Sequence, residues 1–246
     1  MEEVLVPGSK PLSEVERVVD TFIAPSKTFT DILRSASWWL PYVLAVIVSL
    51  AGAFAISQKI GFETVAQTQV EKNPKAEERM SQLTPEQRAK QIHISAIVTK
   101  AISYSIPVVI LIISLFATLL LWASFNFILG AQTKFSQMLA VWMFASLPRL
   151  LMGILNIILL YAGVGTENYD VRNPVGTNLA YYVPDASPVL KALLSFIDIF
   201  GLWNLFLLVL GTSIISRKSK GASAAVVVGW WLVGLVLSVA SAAIFG

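Results

Sequence analysis

The sequence predicts an all-α, polytopic membrane helix bundle with five transmembrane helices and short amphipathic helices at its N-terminus. Three observations carry this. Of the 246 residues, 56% are hydrophobic and 13% charged, against roughly 25% charged in an average soluble domain. The apolar residues fall in five long runs almost free of charge, each near the ~20 residues a helix needs to cross hydrocarbon. The remaining charges gather in the N-terminal stretch and the connectors. Backbone groups in lipid must bond within their own segment, so the runs read as helices.

The N-terminal segment, 1–37, has its own pattern. Ser13 with Glu16 forms a capping box, and Val15, Val18, Val19 and Phe22 follow at helical spacing. Ala24-Pro25 interrupts, then Phe29, Ile32 and Leu33 make a second apolar stripe. Two short helices lying against the membrane surface are expected, stripes inward, with Lys27 and Arg34 at the headgroups. Packing on the bundle is the equal alternative. The stretch mixes acids with bases and lacks a long apolar core, so it does not read as a cleavable signal peptide.

The membrane domain is 38–246. Its first span runs from about Trp38 to Ser57, opened by Trp38, Trp39 and Tyr42 as an interfacial belt. A soluble connector, 58–100, follows; Thr84-Pro85-Glu86-Gln87 is a capping box with proline at the first helical position, so a helix starts there and can run into the second span. That span lies within Ala101 to Thr133. The third runs from about Ser136 to Ala162, interrupted in charge only by Arg149. The segment 163–188, rich in glycine, proline and tyrosine, reads as an ordered irregular cap on the bundle. The fourth span, about Val189 to Ile215, contains Asp198; the fifth, about Ala222 to Phe245, has no charge, and its Trp230 and Trp231 should pack on a neighbouring helix.

Five spans put the termini on opposite sides. Lys and Arg totals on the two sides, which include Lys10 and Arg172, balance too closely to decide. Arg217, Lys218 and Lys220 crowd the start of the fifth span and nothing charged follows it, which favours a cytoplasmic N-terminus and an outside C-terminus.

Arg149 and Asp198 stand well inside predicted spans, where a charge costs a few kcal/mol unless it meets a partner or water. On antiparallel third and fourth spans they come within reach of each other, so an ion pair is expected: a register-fixing contact first, a substrate or proton path second. Asn126, Asn156 and Asn204 are expected as helix glue, each contributing about 1 kcal/mol. Small residues recur every four positions, Ala45, Ser49, Ala53 and Ser57 in the first span and Gly234, Ser238, Ala242 and Gly246 in the fifth. Such stripes let backbones approach closely, within the chain or, as the alternative, in a homo-oligomer.

Catalytic and cofactor chemistry finds no foothold. Without cysteine there is no disulfide, thiolate nucleophile or cysteine-built metal centre. His93 is the sole histidine, one intramembrane aspartate cannot make an aspartyl dyad, and no glycine-rich phosphate loop occurs. No metal, no cofactor and no enzyme activity are expected, and no nucleic-acid partner, since no basic run alternates with aromatics.

With the five spans placed, the phrases VERVVDTFIAPSKTFTDIL before the first, SLPRLL in the third and DIFGLWNLFLLVLGTS in the fourth are similar to those of the Yip (Ypt-interacting protein) family of multi-spanning membrane proteins. The resemblance implies a five-helix membrane fold with a cytoplasmic N-terminus, and in eukaryotic relatives binding of prenylated Rab-type GTPases. This chain departs from those relatives in its short N-terminal region and its charged 58–100 insert, which puts Rab binding in doubt and points to a prokaryotic-type member in a cytoplasmic (inner) membrane. The family has no established catalytic residues to carry over. The expected role is therefore a non-enzymatic scaffold, interaction or membrane-organising factor whose partners are the lipid bilayer and other membrane proteins. The alternatives are a transporter or channel subunit built around Arg149, Asp198 and Asn204, or an accessory subunit of an export complex that uses the 58–100 connector.

Overall fold

The structure, a computed structural model, describes residues 11–167, 169–171 and 173–245. Lys10, Arg172 and Gly246, which entered the charge comparison and the small-residue stripe, lie outside the described residues. Helices and connecting turns account for the described residues, with one isolated bridge between Asn178 and Asp198. Five helical stretches are long and apolar enough to cross a membrane: Trp39–Lys59, Pro85–Ile128, Phe135–Tyr161, Ile199–Ser216 and Lys220–Ile244.

The helices are α1 (Glu14–Ile23), α2 (Pro25–Ile32), α3 (Trp39–Lys59), α4 (Phe62–Glu71), α5 (Pro74–Ser81), α6 (Pro85–Ala123), α7 (Phe135–Ala145), α8 (Leu147–Tyr161), α9 (Pro188–Ser195), α10 (Ile199–Ser216) and α11 (Lys220–Phe245). A π turn, Ser124–Ile128, continues α6, and a 3-10 turn, Leu179–Tyr182, sits in the cap. The capping box at Thr84 is present: its N–H donates to Gln87 Oε1 at 3.0 Å and its hydroxyl accepts from the Gln87 N–H at 3.3 Å. The helix it starts is unbroken through Ala123, about 58 Å at 1.5 Å per residue, far beyond a ~30 Å hydrocarbon core.

Two elements differ from the sequence reading. The third span is two helices, because Pro148 has no N–H and its ring crowds the preceding turn; α7 stops at Ala145 and α8 begins at Leu147. The fourth is also two pieces, the short α9 and the 18-residue α10, so Asp198 lies immediately before α10 and not deep within a span. An unbroken apolar run reports the medium a segment prefers, not whether its backbone is continuous.

The chain forms two compact units. The first comprises Met1–Leu44, Ile110–Arg149 and Gly201–Leu232. Its centre is α7, where Met138 through Val141 and Met143 through Ala145 are all buried, as a helix surrounded on every side requires. Here α2 packs as the alternative reading expected: Phe29 and Ile32 are fully buried. Phe29 seats at Gly211, where a β-carbon would stand 2.9 Å from its Cδ1 and 2.6 Å from Val141 Cγ1, so only glycine leaves room. Helix α1 presents a different face to the unit. Its buried face is polar, Arg17 and Thr21, while Val15, Val19 and Ile23 point outward.

The two N-terminal helices form an antiparallel hairpin with its tip at Ala24-Pro25. Phe29 meets α10 at Gly211, and the ring of Phe22 stands edge-on to Trp203 with centroids 5.6 Å apart. Gly211 and Trp203 are separated by about 12 Å along α10. The two arms of the hairpin thus meet α10 at different levels, α1 at Trp203 and α2 at Gly211. Elsewhere in this unit the Trp230 indole donates to Ser124 Oγ at 2.9 Å, joining α11 to the end of α6.

The second unit comprises Ala45–Val109, Leu150–Phe200 and Val233–Gly246. Its core joins Ala55 and Ile56 of α3, Phe62, Val65 and Ala66 of α4, Ala96 of α6, Leu160 of α8 and Tyr169 of the cap. The connector is therefore packed, not loose. Gly61, at φ 83°, supplies the left-handed turn that folds α4 back from α3. Ala53 of the first-span stripe is buried here, Ala45 also, and Gly153 brings α8 so close to α3 that a β-carbon would meet Val48 Cγ1 at 2.8 Å. That stripe faces the chain itself.

Candidate functional site

The polar residues read from the sequence as intramembrane are each held by hydrogen bonds within their own unit. The first of these contacts forms at the break in the third span. Pro148 removes one helical donor, and the Arg149 N–H turns to Ser146 O at 3.1 Å, so the carbonyl of Ala145 is left without its usual helical partner. Asn204, buried on α10, supplies one: its Nδ2 donates to Ala145 O at 2.8 Å. The same amide turns its oxygen to Arg149, whose Nε donates to Oδ1 at 3.2 Å. One side chain thus caps a carbonyl and holds a guanidinium across two helices. Ser146 closes the same break by donating its hydroxyl to Trp142 O at 2.8 Å.

Asp198 belongs to the second unit. Its Oδ2 accepts the Thr177 hydroxyl at 2.5 Å, while Leu179 N–H donates to Ile197 O and Ile199 N–H to Thr177 O. A carboxylate just before a helix also sits where the helix dipole favours negative charge. Arg149 and Asp198 each have partners within their own unit.

The other two asparagines do not bond span to span. Asn126 lies in the π turn and closes the α6–α7 loop, accepting from Thr133 N–H at 2.9 Å and Oγ1 at 3.1 Å and donating to Thr133 O at 3.0 Å. Asn156 of α8 exchanges hydrogen bonds with the Tyr169 hydroxyl, at 3.0 and 3.3 Å, and so ties the cap to the helix below it. Burial pushes the Tyr169 phenol up from its ordinary value of 10.0; the Asn156 bond opposes the shift and the neighbouring Asp170 adds to it.

The most heavily charged buried cluster was not singled out from the sequence. Arg17, 2% exposed, donates to Asp31 Oδ2 through Nε at 2.7 Å and Nη2 at 2.5 Å, and to Glu14 at 3.2 Å; Asp31, 8% exposed, also pairs with Arg34. The Thr21 and Thr28 hydroxyls both donate to Arg17 O, at 2.7 and 2.9 Å. Burying charge is tolerated only when paired and hydrogen-bonded, and Arg17, Asp31, Thr21 and Thr28 all are, while Oε2 of Glu14 is buried without a hydrogen-bond partner among the described residues. A signal was available: Arg17 and Asp31 lie equally far from Ala24, so folding at Ala24-Pro25 brings opposite charges together.

Outside the spans, a shallow groove between α4 and α6 is lined by Glu63, Gln67, Arg88, Ile92 and His93, with His93 Nδ1 2.8 Å from Glu63 Oε1. Among the described residues no three His, Cys, Asp or Glu side chains gather as metal ligands would.

A five-span helical bundle whose Arg149, Asn204, Asn126 and Asn156 bond within the chain, and an N-terminal hairpin packed on its third and fourth spans, defines a polytopic membrane protein. The chain belongs to the Yip1 domain family, which matches residues 19–241, from the middle of α1 to near the end of α11. It is similar to the membrane protein YknW of Bacillus subtilis (strain 168), 28% identical over 253 aligned positions that cover 98% of this chain and all of that one. No solved structure matches the chain. Two of the three phrases that suggested the family from sequence lie wholly within the matched range, and the first, which starts at Val15, enters it at Val19.

Proposed function

We propose that this protein is a non-enzymatic membrane factor that works by holding other membrane proteins or by organising the bilayer, in the cytoplasmic membrane of a prokaryote, with its N-terminus inside and its C-terminus outside. The observation that carries the reading is the use made of the intramembrane amides. Asn204 closes the Ala145 carbonyl, Asn126 closes a loop and Asn156 holds the cap. Amides spent on bonds within the chain serve architecture, whereas a transport path needs them turned towards a route.

A transport reading draws on one specific feature, the interruption at Ser146. Broken spans with free backbone ends form substrate sites in many transporters. Against it, the freed carbonyl here is filled from within the chain. Two measurements separate the readings. Crosslinking from the 58–100 connector in intact membranes, followed by mass spectrometry, should return a recurrent membrane-protein partner. Purified protein in liposomes should leave proton and ion flux at the empty-vesicle level. A flux that Asn204→Leu abolishes would overturn the proposal.

A further inference from the structure

Helix α9 is eight residues long and none of them is buried. Val189, Leu190 and Leu193 are exposed on it, as is Ile197 just beyond its end. Beside it packs the 3-10 turn, whose Leu179, Tyr181 and Tyr182 are exposed as well. An apolar patch of this extent calls for cover.

Three helices act as rulers of its depth. Arg217 and Lys218 follow α10 at once, so the Ser216 end of that helix stands at a headgroup surface. Its 18 residues measure about 27 Å at most, so Ile199 falls just short of the far boundary of a ~30 Å core. Phe196 reaches lower. A β-carbon on Gly234 would lie 3.9 Å from its Cε1, and Gly234 is about 21 Å along α11 from Lys220. The Thr177 hydroxyl lies 3.6 Å from Met152 Sδ, about 14 Å before α8 ends at Tyr161. The junction of the cap with α10 therefore lies beneath the far surface yet short of the midplane, ~15 Å from either boundary.

Non-helical backbone survives at that level only where its polar groups are bonded. Leu179 N–H donates to Ile197 O at 3.3 Å and Ile199 N–H to Thr177 O at 3.0 Å, which closes the base of a hairpin. The Asp198 carboxylate accepts the Thr177 hydroxyl and stands at the α10 start, where the helix dipole favours it. From that base the hairpin runs out to Asp185, exposed at its turn. The long stem of Lys191 lets its ammonium reach the headgroups.

We infer that residues 177–198 form a re-entrant insert in the leaflet remote from Ser216, with the outward residues of α9 against acyl chains and Asp185 among headgroups. The occupant is lipid, because Ile199 and Leu202, exposed where the spanning α10 begins, face lipid at the same level. The segment is then neither a cap above the bilayer nor the first turns of a span. It widens one leaflet only, whichever compartment that leaflet faces and whatever the chain binds.

The full-length chain contains no cysteine, so Asp185→Cys, Leu193→Cys and Ile197→Cys can each carry a single nitroxide. In phosphatidylcholine and phosphatidylglycerol vesicles the labels are compared for collision with oxygen, which partitions into lipid, and with a water-soluble nickel chelate. Lys90→Cys, on the exposed connector, is the aqueous reference, and Phe206→Cys, exposed on α10, the lipid one. The oxygen-to-nickel ratio at Leu193 and Ile197 should be several-fold above that at Lys90 and approach that at Phe206, with Asp185 below both. Water-like ratios at Leu193 and Ile197, meaning a cap that stands above the bilayer, would overturn the inference. So would low collision with both reagents, meaning cover by protein, or a ratio at Asp185 above the other two. Leu190→Cys replaces Leu193→Cys if that variant melts early. A fluorophore at the same site should be quenched more by lipids labelled near the headgroup than by lipids labelled at the acyl terminus; the reverse order would place the insert at the midplane and overturn it.

Discussion

Arg17 and Asp31, fourteen residues apart and on opposite arms of a helical hairpin, meet through two hydrogen bonds of 2.5 and 2.7 Å at a site almost closed to solvent. The contact sets the register of α1 against α2, because sliding either helix by one residue would leave a charge unpaired. Breaking a buried pair from one side costs about 3–5 kcal/mol, while replacing both partners by apolar groups of similar volume is often neutral. Asp31→Ala should therefore lower detergent melting markedly, and Arg17→Met with Asp31→Leu should lose far less. Thermal unfolding of the single and double variants in one detergent measures the difference; equal losses would contradict the pairing.

Asn204→Leu should be the most damaging of the three asparagine changes. A cross-helix hydrogen bond in a membrane averages about 0.6 kcal/mol. Here the change also strips the Ala145 carbonyl of its partner, adding about 1–3 kcal/mol for an unsatisfied buried group. Pro148→Ala, by letting the helical ladder re-form, should make the loss at Asn204 smaller. A double-mutant cycle read by melting tests this, and strict additivity would sink it.

Gly211→Ala should loosen the hairpin. The new methyl would overlap Val141 and Phe29, and overpacking costs typically about 1–3 kcal/mol. Limited proteolysis in detergent should then cut within residues 14–34 at lower protease than in the parent. Adding Val141→Ala, which opens the tighter of the two contacts, should restore part of the resistance.

Tyr169 should mark an alkaline limit. Its folded pKa lies above 10.0, so the folded state holds the phenolic proton more firmly than the unfolded one. The stability this gives is fully present below pH 10 and is lost as pH rises through the folded value. Tyr169→Phe should remove that alkaline dependence, while losing the Asn156 hydrogen bonds at every pH. Melting followed from pH 8 to 11 distinguishes the two effects.

The five spans were legible because about twenty uncharged residues leave few alternatives to a membrane helix, and Thr84-Pro85 was legible because capping chemistry is local. Asn73-Pro74 starts α5 by the same logic, with the Asn73 side chain accepting from Ala76 N–H, but it lacks the glutamine that made Thr84 conspicuous. The break at Ser146 had a signal in Pro148 that the high hydropathy of the run masked, and the break before Ile199 sits inside a run whose hydropathy stays high. Asp198 was placed too deep for that reason. Arg149 was found by its charge, but the carbonyl it neighbours is a backbone group that no side-chain pattern announces. The polar face of α1 was missed because the eye follows its valines; only the hairpin geometry shows that Arg17 faces inward.

The cluster of Glu14, Arg17, Asp31 and Arg34 contains two acids and two bases. A membrane voltage does work only on net charge, about 2.3 kcal/mol per elementary charge per 100 mV. Moved together, these four side chains take up no electrical work at any depth in the field. The energised state of the membrane therefore acts on this hairpin only through its remaining charges, Glu16, Asp20 and Lys27.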